Sequence, residues 1–189
     1  MIDIQLDDRE VQAALQRLQQ RISDMTPVMR AIATALEAQV EKRFETATDP
    51  AGRPWKPLAP STLSAWLDRG KGNRKKDGSL TQRGRERLSS RKPLYDTGDL
   101  LGSLNSSFTR SQARVGFGVP YAIMHQFGAK KGEYGTGSYK KRRGSFPIPW
   151  GDVPARPMLP ITRDGKFYGE ERAVVLDILV EFLDGKRTG

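Results

Sequence analysis

Thr26-Pro-Val-Met-Arg-Ala-Ile-Ala-Thr-Ala-Leu-Glu-Ala-Gln-Val-Glu-Lys-Arg-Phe44 is the stretch that sets the fold class. Val28, Ile32, Leu36, Val40 and Phe44 recur at strict four-residue steps, the spacing of one face of a helix of about five turns. Thr26 offers a cap, and Pro27 sits at the first helical position, where its missing N–H costs nothing. Upstream, Val11, Leu15, Leu18 and Ile22 form the apolar stripe of a preceding helix, with Asp7 or Asp8 as its N-cap. Ile2, Ile4 and Leu6 alternate with Asp3 and Gln5, the period of a half-buried strand.

Downstream, Asp49-Pro-Ala-Gly52 breaks the helix, and Pro54, Pro57 and Pro60 keep the tract around Trp55 extended and irregular. Ser61 is placed to cap a short helix carrying Leu63, Trp66 and Leu67. Residues 69–92 show no apolar periodicity and read as a long flexible excursion. Thr97 can cap a short helix through Leu100, Leu101 and Leu104, with Asp99 in its first turn. Residues 105–110 and 113–118 suit a hairpin with Val115 and Phe117 on one side. Residues 121–127 suit one or two helical turns ended by Gly128. Phe146, Ile148 and Trp150 alternate with Pro147 and Pro149, which fits an edge strand. A last helix spans about 170–183, with Val174, Ile178, Leu179 and Phe182 inward. The expectation is one α+β domain over residues 1–189: a small antiparallel sheet, two N-terminal helices, a C-terminal helix and two long basic loops.

Composition narrows the chemistry. The chain has 189 residues, no cysteine and one histidine, which removes disulfides, thiolate metal sites and histidine-rich metal sites. The first residues lack a signal peptide's basic and apolar regions, and no apolar run approaches the ~18 residues of a membrane span. A soluble protein, made and used in a cytoplasm, is expected. The net charge of +10 is unevenly distributed. Residues 69–92 carry ten basic against two acidic residues, and 128–145 six against one, so the remainder carries −3.

No constellation suggests catalysis. His125 is the single candidate for acid–base work near neutral pH, yet no partner for a relay lies near it in sequence. Packing is the simpler reading, with the ring donating to a backbone carbonyl. Asp96 and Asp99 belong to an Asp-Thr-Gly-Asp turn and helix cap. Gly116-Phe-Gly118 is no phosphate loop, because no Lys-Ser/Thr follows and Pro120 intervenes. Trp55 amid prolines makes a rigid aromatic anchor. Arg156, between Pro154 and Pro157, is held extended for a bidentate pair with a carboxylate. Both residues fit either an interface or an anchor within the subunit. Arg74, Lys75, Lys76, Lys140, Lys141, Arg142 and Arg143 are candidates for contact with DNA or with acidic neighbours. Base stacking has little support, since the first basic loop holds no aromatic residue and the second only Tyr134 and Tyr139.

Four stretches occur in fixed order: Asp49-Pro-Ala-Gly-Arg-Pro-Trp-Lys-Pro-Leu58, Leu94-Tyr-Asp-Thr-Gly-Asp-Leu-Leu101, Tyr121-Ala-Ile-Met-His-Gln-Phe-Gly128 and Pro154-Ala-Arg-Pro-Met-Leu159. Together they resemble the phage virion morphogenesis family, the tail-completion and head–tail joining proteins of Mu-like phages. The resemblance covers roughly residues 1–180 outside the basic loops. It implies a structural virion protein of the tail or neck with no cofactor and no catalytic residue, forming a hexameric ring and meeting other neck and tail proteins. On that basis Trp55, Tyr121, His125, Phe127, Arg156 and Met158 are interface candidates. Met158 stands where an aromatic is expected, and the insertion at 69–92 is longer than expected. The competing reading is an accessory factor that binds nucleic acid non-specifically during head assembly or packaging.

Overall fold

The computed structural model describes residues 8–138 and 145–185. Helix α1 (Arg9–Ser23) and helix α2 (Thr26–Thr46) are followed by α3 (Pro60–Asp68), α4 (Gln82–Ser89) and the single turn α5 (Asp99–Gly102). A hairpin of β1 (Leu104–Phe108) and β2 (Ala113–Phe117) leads to α6 (Ala122–Phe127). The ribbon β3 (Thr136–Ser138) and β4 (Ser145–Pro147) then precedes α7 (Gly169–Leu183). The fold is α+β, as expected from the sequence. The strand expected at Ile2, Ile4 and Leu6 lies outside the described residues.

The apolar face of α2 organises the rest. Its first half, Val28, Ile32 and Leu36, packs against Ile178 and Phe182 of α7. Its second half, Val40 and Phe44, joins Trp55, Leu100, Ala122 and Met158. Each such side chain contributes roughly 1.5–3 kcal/mol on burial. The Phe44 ring meets Trp55 edge-on, with centroids 5.3 Å apart, and tilts against Phe117 at 6.0 Å. The hairpin lies on this helix in antiparallel register from Leu104 opposite Phe117 to Phe108 opposite Ala113, with Val115 and Phe117 packed on the core. Within the second half, the guanidinium of Arg43 donates to the carboxylate of Glu171 on α7, both side chains buried.

Helix α1 begins where Asp8 accepts from the backbone N–H groups of Glu10 and Val11. Its apolar stripe stays largely open: Leu15 is 60% and Ile22 53% exposed. The helix is tied to α7 where Arg21 Nη1 donates to the Leu183 carbonyl.

Several expectations need correction. Thr26 does not cap α2, whose N-cap is Met25 without a side-chain hydrogen bond. Gly98, not Thr97, is the N-cap of α5, which ends at Gly102, so Leu104 belongs to β1. The edge strand expected through Trp150 ends at Pro147. α3 starts one residue before Ser61: Ala59 is the extended N-cap, and Pro60 begins the helix. The larger correction concerns 69–92, which is built and not structureless. Asn73 is buried and donates from Nδ2 to the Leu67 carbonyl at 2.7 Å, while its own carbonyl accepts from the Thr81 N–H at 3.0 Å. Thr81 caps α4 through the Gly84 N–H. The guanidinium groups of Arg87 and Arg91 stack on Trp66 at 4.6 and 4.8 Å. Arginines therefore supply the packing surface that apolar residues would supply elsewhere, and an apolar pattern cannot reveal it.

Gly84 is the close-contact point of this unit. A Cβ there would stand 2.2 Å from the Asn73 carbonyl oxygen. Gly84→Ala should loosen α4 from the Asn73 turn, speeding tryptic cleavage after Lys71, Lys75 and Lys76 by about tenfold with little effect on the α2–α7 core. Limited proteolysis read by mass spectrometry checks this; an unchanged cleavage rate would show that α4 does not hold the turn.

Candidate functional site

The segment 153–161 crosses the interior outside any named strand, so its peptide groups need other partners. Gln126, on α6, supplies four. Its Oε1 accepts from the N–H groups of Met158 and Leu159, both at 2.8 Å, and its Nε2 donates to the carbonyls of Leu159 at 3.2 Å and Ile161 at 2.9 Å. The Arg156 N–H donates to the His125 carbonyl at 2.7 Å, Arg43 Nη1 to the Met158 carbonyl at 2.8 Å, and Trp55 Nε1 to the Pro157 carbonyl at 2.9 Å. Just after α6 the chain turns through Gly128 at φ 72°, where a Cβ would lie 2.9 Å from the Ala155 nitrogen.

All four signature stretches contribute to the lining of one cavity of about 180 Å³. Leu58 comes from the first, Leu94 to Gly98 from the second, Tyr121 and His125 from the third, and Arg156 from the fourth. Leu94 adopts φ 62°, an uncommon conformation for a branched residue, in the cavity wall. A larger cleft of about 750 Å³ adjoins it across Arg91, Tyr95 and Asp96, with Trp66, Glu41 and Glu45 on its other side.

The expected candidates divide by burial. Trp55 and Met158 are core residues, held within the subunit. Arg156 is also buried, and its Nε and Nη2 donate to the carbonyls of Lys56 at 2.7 Å and Pro57 at 2.9 Å. No carboxylate among the described residues pairs with it. Tyr121 is exposed and Phe127 half-buried. His125 packs edge-on to Tyr121, with ring centroids 6.2 Å apart. Its ring does not donate to a carbonyl as expected: Nδ1 is buried without a partner. Burial, reinforced by the nearby Arg156 charge, lowers the His125 pKa from the ordinary 6.5. Burial likewise lowers that of Arg156.

Asp96 pairs with Arg91 at 2.9 Å and Arg69 at 3.5 Å, and Asp99 occupies the first turn of α5. Among the described residues no group of three or more His, Asp or Glu can hold a metal ion. In the basic insertion, Arg74 is tied to Asp68 at 2.6 Å and to Ser64 at 2.8 Å, whereas Lys75 and Lys76 are exposed. Lys140, Lys141, Arg142 and Arg143 lie outside the described residues. Sequence reasoning missed Gln126, Arg43, Glu171 and Asn73, all polar and buried. The one signal for Gln126 was its place inside the Tyr121–Gly128 stretch.

Two outcomes follow from this geometry. Gln126→Leu strands several buried peptide groups at once and should cost about 3 kcal/mol or more by urea unfolding, whereas Tyr121→Phe should cost under about 0.5 kcal/mol. Because the folded state resists protonation of His125, stability from this group is present above pH 6.5 and is lost as pH falls through the lowered value. The loss of stability between pH 7 and 5 should therefore be smaller in His125→Gln than in the wild type; equal losses would mean that His125 does not titrate differently on folding.

The chain is 31% identical over 163 residues to the Mu-like prophage FluMu G protein 2 of Haemophilus influenzae, with 86% of each chain covered. No solved structure matches. The profile of the phage virion morphogenesis family matches residues 6–184, and the chain belongs to that family.

Proposed function

We propose that this chain is a structural protein of the tail end or neck of a phage particle, completing the tail and joining it to the head as one subunit of a homo-oligomeric ring of six. Membership of the virion morphogenesis family supports a role in building the particle. The observation that carries the non-catalytic reading is the use made of the signature residues. Gln126, Trp55 and Arg156 direct side-chain polar atoms to backbone carbonyls and amides, so their main duty is to hold the chain in place. No cofactor or small-molecule substrate enters this reading. The protein would work in the virion after assembly in the host cytoplasm.

Two surfaces suit contact with neighbours. One is the α1 stripe of Val11, Leu15, Leu18 and Ile22, which a soluble monomer gains nothing by exposing. The other is the α3–α4 unit, where Lys71, Lys75, Lys76 and Arg83 are exposed. Those cations also favour the second reading, an accessory factor that binds nucleic acid non-specifically in head assembly or packaging.

Mass spectrometry of separated heads and tails from purified virions tests both. About six copies travelling with the tail or neck fits the ring. Absence from mature particles, with DNA retention by the free protein that falls steeply with salt, would favour the accessory factor.

A further inference from the structure

The fold contains two buried guanidinium groups treated in opposite ways. Arg43 has its own counter-ion in Glu171. Arg156, only 4% exposed, has neutral carbonyls alone and no carboxylate partner among the described residues. Removing a charge from water without an opposite charge is costly, and the cavity beside Arg156 offers room for one. Nε and Nη2 are committed to Lys56 and Pro57, leaving Nη1 as the remaining edge.

The His125 ring lines the same space, while its Nδ1 is closed off from it, so the ring is a neighbour of the site and not a second donor. Asp96 is the acidic residue in the wall, and it pairs with both Arg91 and Arg69, so the wall as a whole remains positive. Leu58 and Leu94 supply apolar surface, and the half-exposed Tyr95 and Tyr121 stand at the rim.

We infer that this cavity is a receptor for a carboxylate, presented on a protein side chain by another subunit of the particle. The inference rests on the assembly reading above. At about 180 Å³ the space is below that of ordinary ligand pockets and admits an acidic side chain. A nucleic-acid phosphate is a poor occupant, because a duplex cannot bring its backbone to a guanidinium so deeply buried. A carboxylate can accept from the remaining edge of Arg156, in a space that the His125 ring lines.

His125 is the only histidine of the chain, so its ring C–H signal is a single clean reporter by NMR. Full-length protein would be titrated with N-acetyl-glutamate α-amide and, separately, with its glutamine counterpart. The expected result is a saturable shift of the His125 signal with the carboxylate probe, half-complete at roughly millimolar concentration, and none with the glutamine probe. Arg156→Met should abolish it. Because Arg156 also holds Lys56 and Pro57, Leu58→Phe serves as the second variant. It narrows the cavity with those bonds retained, and should weaken binding at least about tenfold.

A second arm identifies the source of the carboxylate. If raising the protein from about 20 μM to about 1 mM produces the same shift without any probe, the donor is another copy of this chain. A shift with the probe alone assigns it to a different protein. No saturable shift with the probe, or an equal shift with its glutamine counterpart, overturns the receptor. A protein located in the tail or neck that behaves so would keep its proposed role and lose this site.

Discussion

The structure depends on finding hydrogen-bond partners for the segment 153–161, which is buried at Arg156, Met158 and Pro160 and belongs to no sheet. A buried peptide group left unpaired costs about 1–3 kcal/mol, so several in a row are untenable without partners. Side chains from separate parts of the chain provide them: Gln126 from α6, Arg43 from α2 and Trp55 from the proline-rich loop. Backbone groups close the remainder, with His125 accepting from Arg156 and Ala129 pairing with Val153. This explains why the signature stretches occur as a set. The first, third and fourth supply partners to one another, and the second meets them in the wall of the small cavity. Arg156 works in reverse, reaching back from the segment to fix the carbonyls of Lys56 and Pro57.

α2 carries that arrangement because it spans both packing clusters. One half of its face meets α7, and the other meets Trp55, Met158 and the hairpin. The Arg43–Glu171 pair links the second half of α2 to the start of α7. Burial lowers the Arg43 pKa and raises that of Glu171, the direction expected when loss of hydration outweighs mutual attraction. Such a pair adds little net stability. Its contribution is geometric: Arg43 reaches Glu171 and the Met158 carbonyl together, so α7 and the buried segment are set relative to the same helix turn.

What the sequence made legible follows from what kind of interaction formed each element. α2 and α7 are held by apolar faces, and their periodicity shows them directly. The hairpin and the turn at Gly128 are likewise local chemistry. α1 shows the limit of the same signal, since a stripe at helical spacing identifies the helix but not what covers it. The α3–α4 unit was invisible because its order comes from arginines stacked on Trp66, a buried Asn73 and one close approach at Gly84. Charge and glycine in that pattern read as a loop. Gln126 was missed for a related reason: a single amide in a short helix has no periodic signature, and its four bonds exist only once residues 158–161 arrive. For Trp55 and Arg156, local rigidity was legible but destination was not, since a proline-framed side chain docks equally well inward or outward.

The order found in the basic insertion changes how its charge acts. Were 69–92 a free loop, each cation would have to be immobilised on contact, at a cost of about 0.5–1.5 kcal/mol for a long side chain and more for the backbone. Arg87 and Arg91 on Trp66, and Arg74 on Asp68, instead use part of the positive charge to build a platform. Lys71, Lys75, Lys76 and Arg83 project from a backbone already fixed by Asn73 and Thr81. The arginines that are committed and the cations that are free thus have separate duties, and only the second group is available to a polyanion or an acidic face. Binding through them needs side-chain ordering alone, which favours a repeated contact at a defined angle over a flexible tether. A chain with a packed interior, an open apolar helix and a fixed cationic platform keeps that helix face and those cations where another molecule can reach them.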